Sequence, residues 1–262
     1  MASSQHSKIR FDSFCKDIEL DKELIELIAN EPSNLVIANP ATQFIYLYLV
    51  DYIQQFSGSW FANRNLDVLD WGCGKGHITY LLQKGQDRVV SADRRLDATD
   101  SSFGQRTPII DAKGIEVVPL EHDYILPFAD DSFDVVISMG VLEHVPKDTE
   151  SVKEIARILR PNGLFFCFFL PYKFSWTQAI ERARGVTYHD RLYTKKIVDA
   201  VMYENGLEVL DFWHRQLFPK NSARSKNYRM LERLDQWLTS KTFLKFFATN
   251  IEFVCMNAGK GR

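Results

Sequence analysis

The sequence predicts an α/β fold in which a doubly wound sheet of seven strands carries helices on both faces. Two observations predict it. Short apolar runs alternate with helical patterns along most of the chain, as in parallel strands joined by helical crossovers. A glycine-rich turn follows the first run, where such sheets bind ligands. The seven predicted strands are Leu66–Asp70, Arg88–Ala92, Ile115–Pro119, Phe133–Ser138, Gly163–Leu170, Leu207–Trp213 and Ile251–Met256.

Two helical segments precede the sheet, at Asp12–Asn30 and Pro40–Phe56, and form an N-terminal cap. Ser57-Gly58-Ser59 is expected to end the second helix. We expect the cap to cover residues 1–60 and the α/β domain to cover residues 61–262. Apolar residues recur at helical spacing in the second helix, which favours core packing over the lining of an acceptor site. They are Phe44, Ile45, Leu47 and Tyr48.

The turn after the first strand reads Asp70-Trp71-Gly72-Cys73-Gly74-Lys75-Gly76. Glycine permits positive φ and close approach of the backbone to a ligand, so a small polar molecule is expected across this turn. Dinucleotide-binding turns have the spacing G-x-G-x-x-G, whereas the third glycine here comes one residue early. A carboxylate at Asp70 would repel a pyrophosphate at the helix N-terminus but attract the sulfonium and ammonium groups of S-adenosylmethionine. The electrostatics therefore favour this methyl donor.

These residues resemble the class I S-adenosylmethionine-dependent methyltransferases of the small-molecule type, whose first motif has the form D-x-G-C-G-x-G. The resemblance covers roughly residues 60–170. It implies a Rossmann-like, mostly parallel sheet whose last strand is antiparallel. It also implies S-adenosylmethionine as the cofactor and S-adenosylhomocysteine as the product. Later blocks that carry it are Ser91–Arg94, Pro127–Asp134, Val141–Val145 and Arg157–Gly163.

The resemblance implies cofactor contacts at the ends of the first four strands. Asp93 is expected to accept hydrogen bonds from both ribose hydroxyls, with a solvated turn aspartate as the alternative. Arg94 either flanks the adenine or lies on the surface. Asp123, with its neighbour Tyr124, takes the position of an acid or amide near the adenine amine, unless it is a helix or turn cap. The other expected contacts are Ser138 and Met139 beneath the methionine portion, and Asp70, Trp71, Gly72, Cys73, Gly74 and Gly76 in the turn.

Methyl transfer asks for little acid–base chemistry, because the sulfonium is already an activated electrophile and alignment supplies much of the rate. A general base helps when the acceptor is a hydroxyl that must lose its proton. The candidates are His144, and then His189 in the segment Tyr188–Tyr193, a region that the family uses to close over substrate. A structural role for either histidine is the alternative.

No metal is expected. Related quinone-biosynthesis methyltransferases carry an E-x-x-E-H pattern that is associated with a divalent metal, but Gly140 replaces the first acid here. Glu143 and His144 alone form an incomplete ligand set for a hard cation that takes six or more oxygen ligands.

Features that the sequence lacks reduce the range of possible methyl acceptors. The fourth predicted strand is not followed by the tetrapeptide Asn/Asp-Pro-Pro-Tyr/Phe, which argues against methylation of a nucleobase amine. The net charge of −2 gives no polyanion-binding signature, so a nucleic acid partner is not expected. Small molecules, lipids, quinones and glycans remain, and a quinone is less favoured because its acidic motif is incomplete.

A cytoplasmic location is expected. Cys15, Cys73, Cys167 and Cys255 are widely spaced and are interpreted as reduced thiols. The N-terminus lacks the apolar core of a secretory signal. The longest apolar run, Leu164–Leu170, is too short to cross a bilayer, which needs about 20 helical residues.

A basic segment of about residues 214–247 lies between the last two predicted strands and is expected to be a helical insertion. A solvated helix is the simplest interpretation. A helix that holds an anionic acceptor or lies on a membrane surface is the alternative, because aromatic and leucine residues interleave with the charges. The only acidic residues of the segment are Glu232 and Asp235. Its basic residues are Arg215, Lys220, Arg224, Lys226, Arg229, Arg233, Lys241 and Lys245.

The sequence therefore predicts a methyltransferase that acts on a small molecule, at a hydroxyl oxygen of a glycan, a lipid-linked compound or a specialised metabolite. Two other classes stay open. One is an NAD-dependent oxidoreductase, against which the glycine spacing argues. The other is a non-catalytic S-adenosylmethionine-binding subunit, because a binding site does not prove turnover.

Overall fold

The computed structural model describes residues 9–10, 18–28, 40–94, 108–185, 189, 191–218 and 227–259. Parts of the predicted helix Asp12–Asn30, together with Cys15, Tyr188, Lys220, Arg224 and Lys226, lie outside the described residues. Within that predicted helix, α1 covers Lys22–Ile28, so helix was wrongly predicted for residues 18–21. Helix α1 begins at Lys22 because Asp21 Oδ1 accepts a hydrogen bond from the Leu24 amide at 3.0 Å, as an N-cap does.

Helix α2 covers Pro40–Trp60 and does not end at Ser57-Gly58-Ser59 as predicted. The Phe56 and Trp60 rings stack at 6.2 Å, and Trp60 Nε1 donates to the Asn162 carbonyl at 3.0 Å. These contacts outweigh the roughly 1 kcal/mol that glycine costs inside a helix. Ala62 and Asn63, both at φ 56°, then turn the chain away from the helix.

The sheet has seven strands, as the sequence predicts, and they lie in the order β3-β2-β1-β4-β5-β7-β6. Neighbours pair in parallel except at β7, which is antiparallel to both β5 and β6. This confirms the mostly parallel, Rossmann-like sheet with an antiparallel last strand. The strands are β1 Asp67–Trp71, β2 Arg88–Arg94, β3 Val117–Leu120, β4 Phe133–Met139, β5 Leu159–Pro171, β6 Leu207–Arg215 and β7 Asn250–Asn257.

Helices follow most of the strands and cover both faces of the sheet. They are α3 His77–Gln83, α4 Pro108–Lys113, α5 Asp148–Ile158, α6 Trp176–Ala183, α7 Lys195–Glu204 and α8 Tyr228–Lys241, with a 3-10 helix at Phe243–Phe247. Among the described residues, none of these helices combines the length and the apolar content that crossing a membrane requires.

Two apolar cores lie on opposite faces of the sheet, because successive side chains of a strand alternate between faces. Phe166 and Phe168 of β5 enter the first core, where α2 packs its Tyr48 and Tyr52. Phe165 of β5 enters the second core against α5 and α7. The burial of Phe44, Ile45 and Tyr48 confirms the packing interpretation of α2. The described cysteines, Cys73, Cys167 and Cys255, are free and buried.

Candidate functional site

The glycine turn connects β1 to α3 at the carboxyl edge of the sheet. Gly72, Gly74 and Gly76 all have positive φ, at 73°, 53° and 76°. The amides of Gly72 and Cys73 both donate to the Ala92 carbonyl, at 2.8 and 3.1 Å, and tie the turn to the end of β2. The turn therefore takes a fixed backbone shape that favours glycine at three positions.

The glycines differ in what surrounds them. A Cβ on Gly72 would lie 2.4 Å from Val141 Cγ2, whereas a Cβ on Gly74 would meet nothing within 4 Å. Gly72 therefore packs against the protein, and Gly74 borders open space on the side where a ligand can approach.

This difference gives a paired prediction. Gly72→Ala combines the strain of a left-handed alanine with a steric clash, so we expect it to lower the free energy of unfolding by roughly 2–4 kcal/mol. Gly74→Ala should lose only about 1 kcal/mol but bind the ligand of the turn less tightly. Urea denaturation and calorimetric titration of both variants measure this, and equal loss of stability in the two would contradict the assignment.

Asp93, at the end of β2, points back to the turn. Its Oδ2 accepts from the Gly74 amide at 2.6 Å and its Oδ1 from the Arg94 amide at 2.7 Å. Burial raises the pKa of the Asp93 carboxyl, and the two amide bonds partly offset that rise. Asp93 is thus fixed against the open side of the glycine turn, whereas Arg94 is exposed.

Asp70 lies behind the turn. It is 2% exposed, and its Oδ2 accepts from Thr79 Oγ1 at 2.7 Å, while Thr79 Oγ1 also bonds Ser91 Oγ at 2.7 Å. Burial raises the pKa of Asp70 to about 6. The carboxylate joins β1, α3 and β2, so direct contact with a cofactor stays a prediction.

The raised pKa predicts how stability depends on pH. The native pKa of Asp70 exceeds its unfolded value, so its contribution to stability is present below pH 4 and is lost as the pH rises through 6. Asp70→Asn cannot titrate and keeps a partner for Thr79. The variant should gain roughly 2 kcal/mol of unfolding free energy relative to the native protein between pH 4.5 and pH 7.5. Urea denaturation of the native protein and the variant at these two pH values tests the prediction. A difference in unfolding free energy between the two proteins that is the same at both pH values would refute it.

The predicted adenine contacts lie in the turn after β3. Asp123 is exposed and Tyr124 is half-buried. The cap role that was the alternative for Asp123 is taken by its neighbour, because His122 Nδ1 accepts from the amides of Tyr124 and Ile125, at 3.3 and 3.2 Å. The Asp123 carboxylate is therefore exposed at the edge of the sheet.

At the end of β4, Ser138 is fully buried and Met139 is half-buried. Gly140 has φ 69°, and its amide donates to the Phe168 carbonyl of β5 at 3.0 Å. The backbone of β4 thus stops beside the glycine turn, since Trp71 of β1 pairs with Ser138.

The structure brings both candidate bases together. The His144 and His189 rings lie 5.6 Å apart, and His144 Nε2 is 3.8 Å from Oε1 of the buried Glu143. Arg191 holds the segment of His189 in place, because its guanidinium donates to the carbonyls of Val145 and Pro146. One ligand-capable atom from each of Glu143, His144 and His189 lies within 4.8 Å of the others. His189 thus joins Glu143 and His144, the two possible ligands that the sequence motif contains, and the expectation of no metal stays a prediction.

Three residues near this edge were missed by the sequence analysis. Tyr46, His77 and Phe169 form an aromatic wall, in which the Tyr46 ring lies 4.3 Å from His77 and 5.8 Å from Phe169. Phe169 has φ 62°, a strained value for an aromatic residue, at a bulge of β5 against β7. Burial lowers the pKa of His77 to about 4, so its imidazole is neutral.

A family model described as a methyltransferase domain matches residues 69–167. The domain belongs to the S-adenosylmethionine-dependent methyltransferases. S-adenosylmethionine is the cofactor of this family, which decides against NAD. The site fits that cofactor, since Gly74 borders open space beside the fixed Asp93 carboxylate.

The methyltransferase domain is similar to several curated proteins. The "Probable S-adenosylmethionine-dependent methyltransferase" of Mycolicibacterium smegmatis is 34% identical over 99 residues, 38% of this chain and 36% of that protein. The mitochondrial arginine-hydroxylase NDUFAF5 of Homo sapiens is 30% identical over 44% of this chain and 34% of that protein. The ubiquinone biosynthesis O-methyltransferase of Hydrogenovibrio crunogenus is 25% identical over 71% of this chain and 77% of that protein. The match spans only about a third of the first two relatives.

Solved structures show the same fold. YcgJ of Bacillus subtilis superposes with a TM-score of 0.55 at 17% identity, over 83% of this chain and 99% of that chain. The 1,6-didemethyltoxoflavin-N1-methyltransferase of Burkholderia thailandensis, with S-adenosylhomocysteine bound, gives a TM-score of 0.50 at 14% identity, over 82% of this chain and 79% of that chain.

Proposed function

We propose that the protein transfers the methyl group of S-adenosylmethionine to a hydroxyl oxygen of a small-molecule acceptor in the cytoplasm. The observation that carries the proposal is the pair of histidines, in which His189, from the segment after α6, lies beside His144, from the loop that follows β4. Strand β4 is the neighbour of β1, which the glycine turn follows. The domain division is part of the proposal: a helical cap over residues 1–60 and a methyltransferase domain over residues 61–262, with an insertion at about residues 214–247.

In this proposal the cofactor lies across the open side of Gly74. Asp93 binds the ribose hydroxyls, and its fixed orientation toward the turn supports that role. Asp123 and Tyr124 face the adenine, with Arg94 at its edge. Ser138 and Met139 would hold the methionine portion, together with the turn residues Asp70, Trp71, Gly72, Cys73, Gly74 and Gly76. The bound cofactor supplies an electrophilic methyl group.

His144 is proposed as the general base. The bound cofactor would supply the methyl group, and its sulfur would keep the electron pair of the broken carbon–sulfur bond, while the His144 imidazole would take the proton of the acceptor hydroxyl. The buried Glu143 carboxylate, 3.8 Å from His144, would stabilise the positive charge on the imidazole. His189 is proposed to orient the acceptor or share the proton.

The acceptor is proposed to be a glycan, a lipid-linked compound or a specialised metabolite. One feature supports an acceptor with aromatic character. Phe169 of the aromatic wall directly follows Phe168, which pairs with Met139 at the end of β4.

Transfer of a labelled methyl group from S-adenosylmethionine tests the function. Purified protein is incubated with the labelled cofactor and with sets of lipid-linked saccharides, phenolic metabolites and quinone precursors, and products are separated by mass. Formation of an O-methyl product that requires Asp93 supports the proposal. Cofactor binding without transfer to any set favours the non-catalytic subunit, and transfer to nitrogen or carbon would refute the hydroxyl assignment.

A further inference from the structure

Helix α8 exposes large apolar side chains on one face and buries polar side chains on the other. Asp235, Gln236 and Thr239 are buried, beside the half-buried Tyr228, Leu231 and Leu238. Met230, Leu234 and Trp237, spaced at i, i+4 and i+7 on one face, are 61%, 43% and 54% exposed. A surface helix normally buries its large apolar side chains and leaves its polar ones exposed.

The orientation of α8 is fixed by hydrogen bonds. The Asp235 carboxylate accepts from the backbone amides of Gln216, Leu217 and Phe218, at 3.2, 2.7 and 2.8 Å. Turning the apolar face inward would break these bonds and leave three amides to find other partners, which is costly for buried groups. The apolar face is therefore held outward by the fold.

The 3-10 helix that follows α8 contacts it and exposes three more large apolar side chains. Phe243, Phe246 and Phe247 are 71%, 51% and 49% exposed. Single exposed apolar side chains are common, but a group of large ones marks a binding surface. The outer apolar surface is defined as Met230, Leu234, Trp237, Phe243, Phe246 and Phe247.

The charges beside the outer apolar surface are positive. Arg233 and Lys241 are exposed on the same side of α8, and Lys245 is half-buried in the 3-10 helix. The acids of residues 228–247 are Glu232, which is half-buried, and Asp235, which is buried against the three amides. In sequence, the adjoining residues 219–226 add Lys220, Arg224 and Lys226.

We propose that α8 and the 3-10 helix bind the surface of an anionic phospholipid bilayer. Aromatic side chains enter the boundary between headgroups and acyl chains, and the arginine and lysines pair with lipid phosphates. A second copy of the chain fits less well. In a two-fold dimer this surface would face itself, which brings Arg233 and Lys241 close to like charges. The inference is independent of the chemistry proposed above.

Co-sedimentation with vesicles tests the proposal. The full chain is mixed with vesicles of phosphatidylcholine alone, or of phosphatidylcholine and phosphatidylglycerol. One variant carries Trp237→Gln and Phe243→Gln, and another carries Arg233→Glu and Lys241→Glu. The matched control is Tyr203→Gln, which removes an 82% exposed aromatic side chain from α7.

The native protein and the control should sediment with the anionic vesicles, and this binding should weaken at high salt. Both double variants should bind these vesicles about tenfold more weakly. Calorimetric titration with S-adenosylmethionine should give the same affinity for all four proteins, which shows that they are folded. Native protein that stays in the supernatant, or sediments equally with neutral vesicles, would overturn the proposal. So would a dimer in sedimentation velocity that either double variant dissociates, because the second copy would then be the occupant.

Discussion

Replacement of Asp93 by alanine is expected to weaken S-adenosylmethionine binding by roughly 100-fold. Two hydrogen bonds from the ribose hydroxyls to a carboxylate together contribute about 3 kcal/mol, which corresponds to that factor. The substitution also releases the Gly74 amide, which Asp93 holds at 2.6 Å, so the turn loses part of its fixed shape. Calorimetric titration with S-adenosylmethionine and S-adenosylhomocysteine measures both affinities.

Two further variants separate the ribose role from folding. Asp93→Asn keeps an acceptor for the Gly74 amide but loses the negative charge, so its affinity should fall between those of the native protein and the alanine variant. Arg94→Ala removes the exposed neighbour and should change affinity by less than about threefold if that arginine lies on the surface. Full affinity in Asp93→Ala, with an unchanged unfolding temperature, would refute the ribose assignment.

The sheet was predictable because its signals are local. Each strand is an apolar run between breakers, and the glycine turn needs positive φ at Gly72, Gly74 and Gly76 whatever packs around it. The antiparallel β7 came from the family resemblance, since periodicity does not encode direction, and the order of the strands was not predicted. The end of α2 was predicted wrongly because the contacts that extend it, between Trp60 and Asn162, join positions 102 residues apart.

The site was predictable only in part, because it too depends on contacts between residues that are distant in the sequence. His144 and His189 could be selected as bases from their chemistry, but their proximity depends on Arg191, which ties one loop to the other. Phe169 gave no signal, because its positive φ arises from a bulge between strands that are distant in sequence.

The basic insertion shows a further limit of a sequence pattern. Its apolar residues interleave with charges, and this pattern does not say which of them are buried. In the structure Asp235 points inward as the acceptor for the three amides after β6, while Leu234 and Trp237 stay exposed. Which side of a helix is buried thus depends on partners that the pattern does not contain.

Replacement of His144 by alanine is expected to lower kcat for a hydroxyl acceptor by about 100-fold, the lower end of what a general base contributes. The affinity for S-adenosylmethionine should change little, because the imidazole is proposed to contact the acceptor and not the cofactor. Steady-state kinetics with the acceptor found in the labelled-methyl screen, together with calorimetric titration of S-adenosylmethionine, measures these effects.

His189 provides the matched comparison. If the two histidines act as a unit, His189→Ala should also lower kcat, and the double variant should lose less than the product of the two single losses, because each loss disables the same proton transfer. If His189 only orients the acceptor, its variant should raise KM more than it lowers kcat. Values of kcat within about threefold of native in both single variants would refute a general base at this position and leave alignment as the source of the rate.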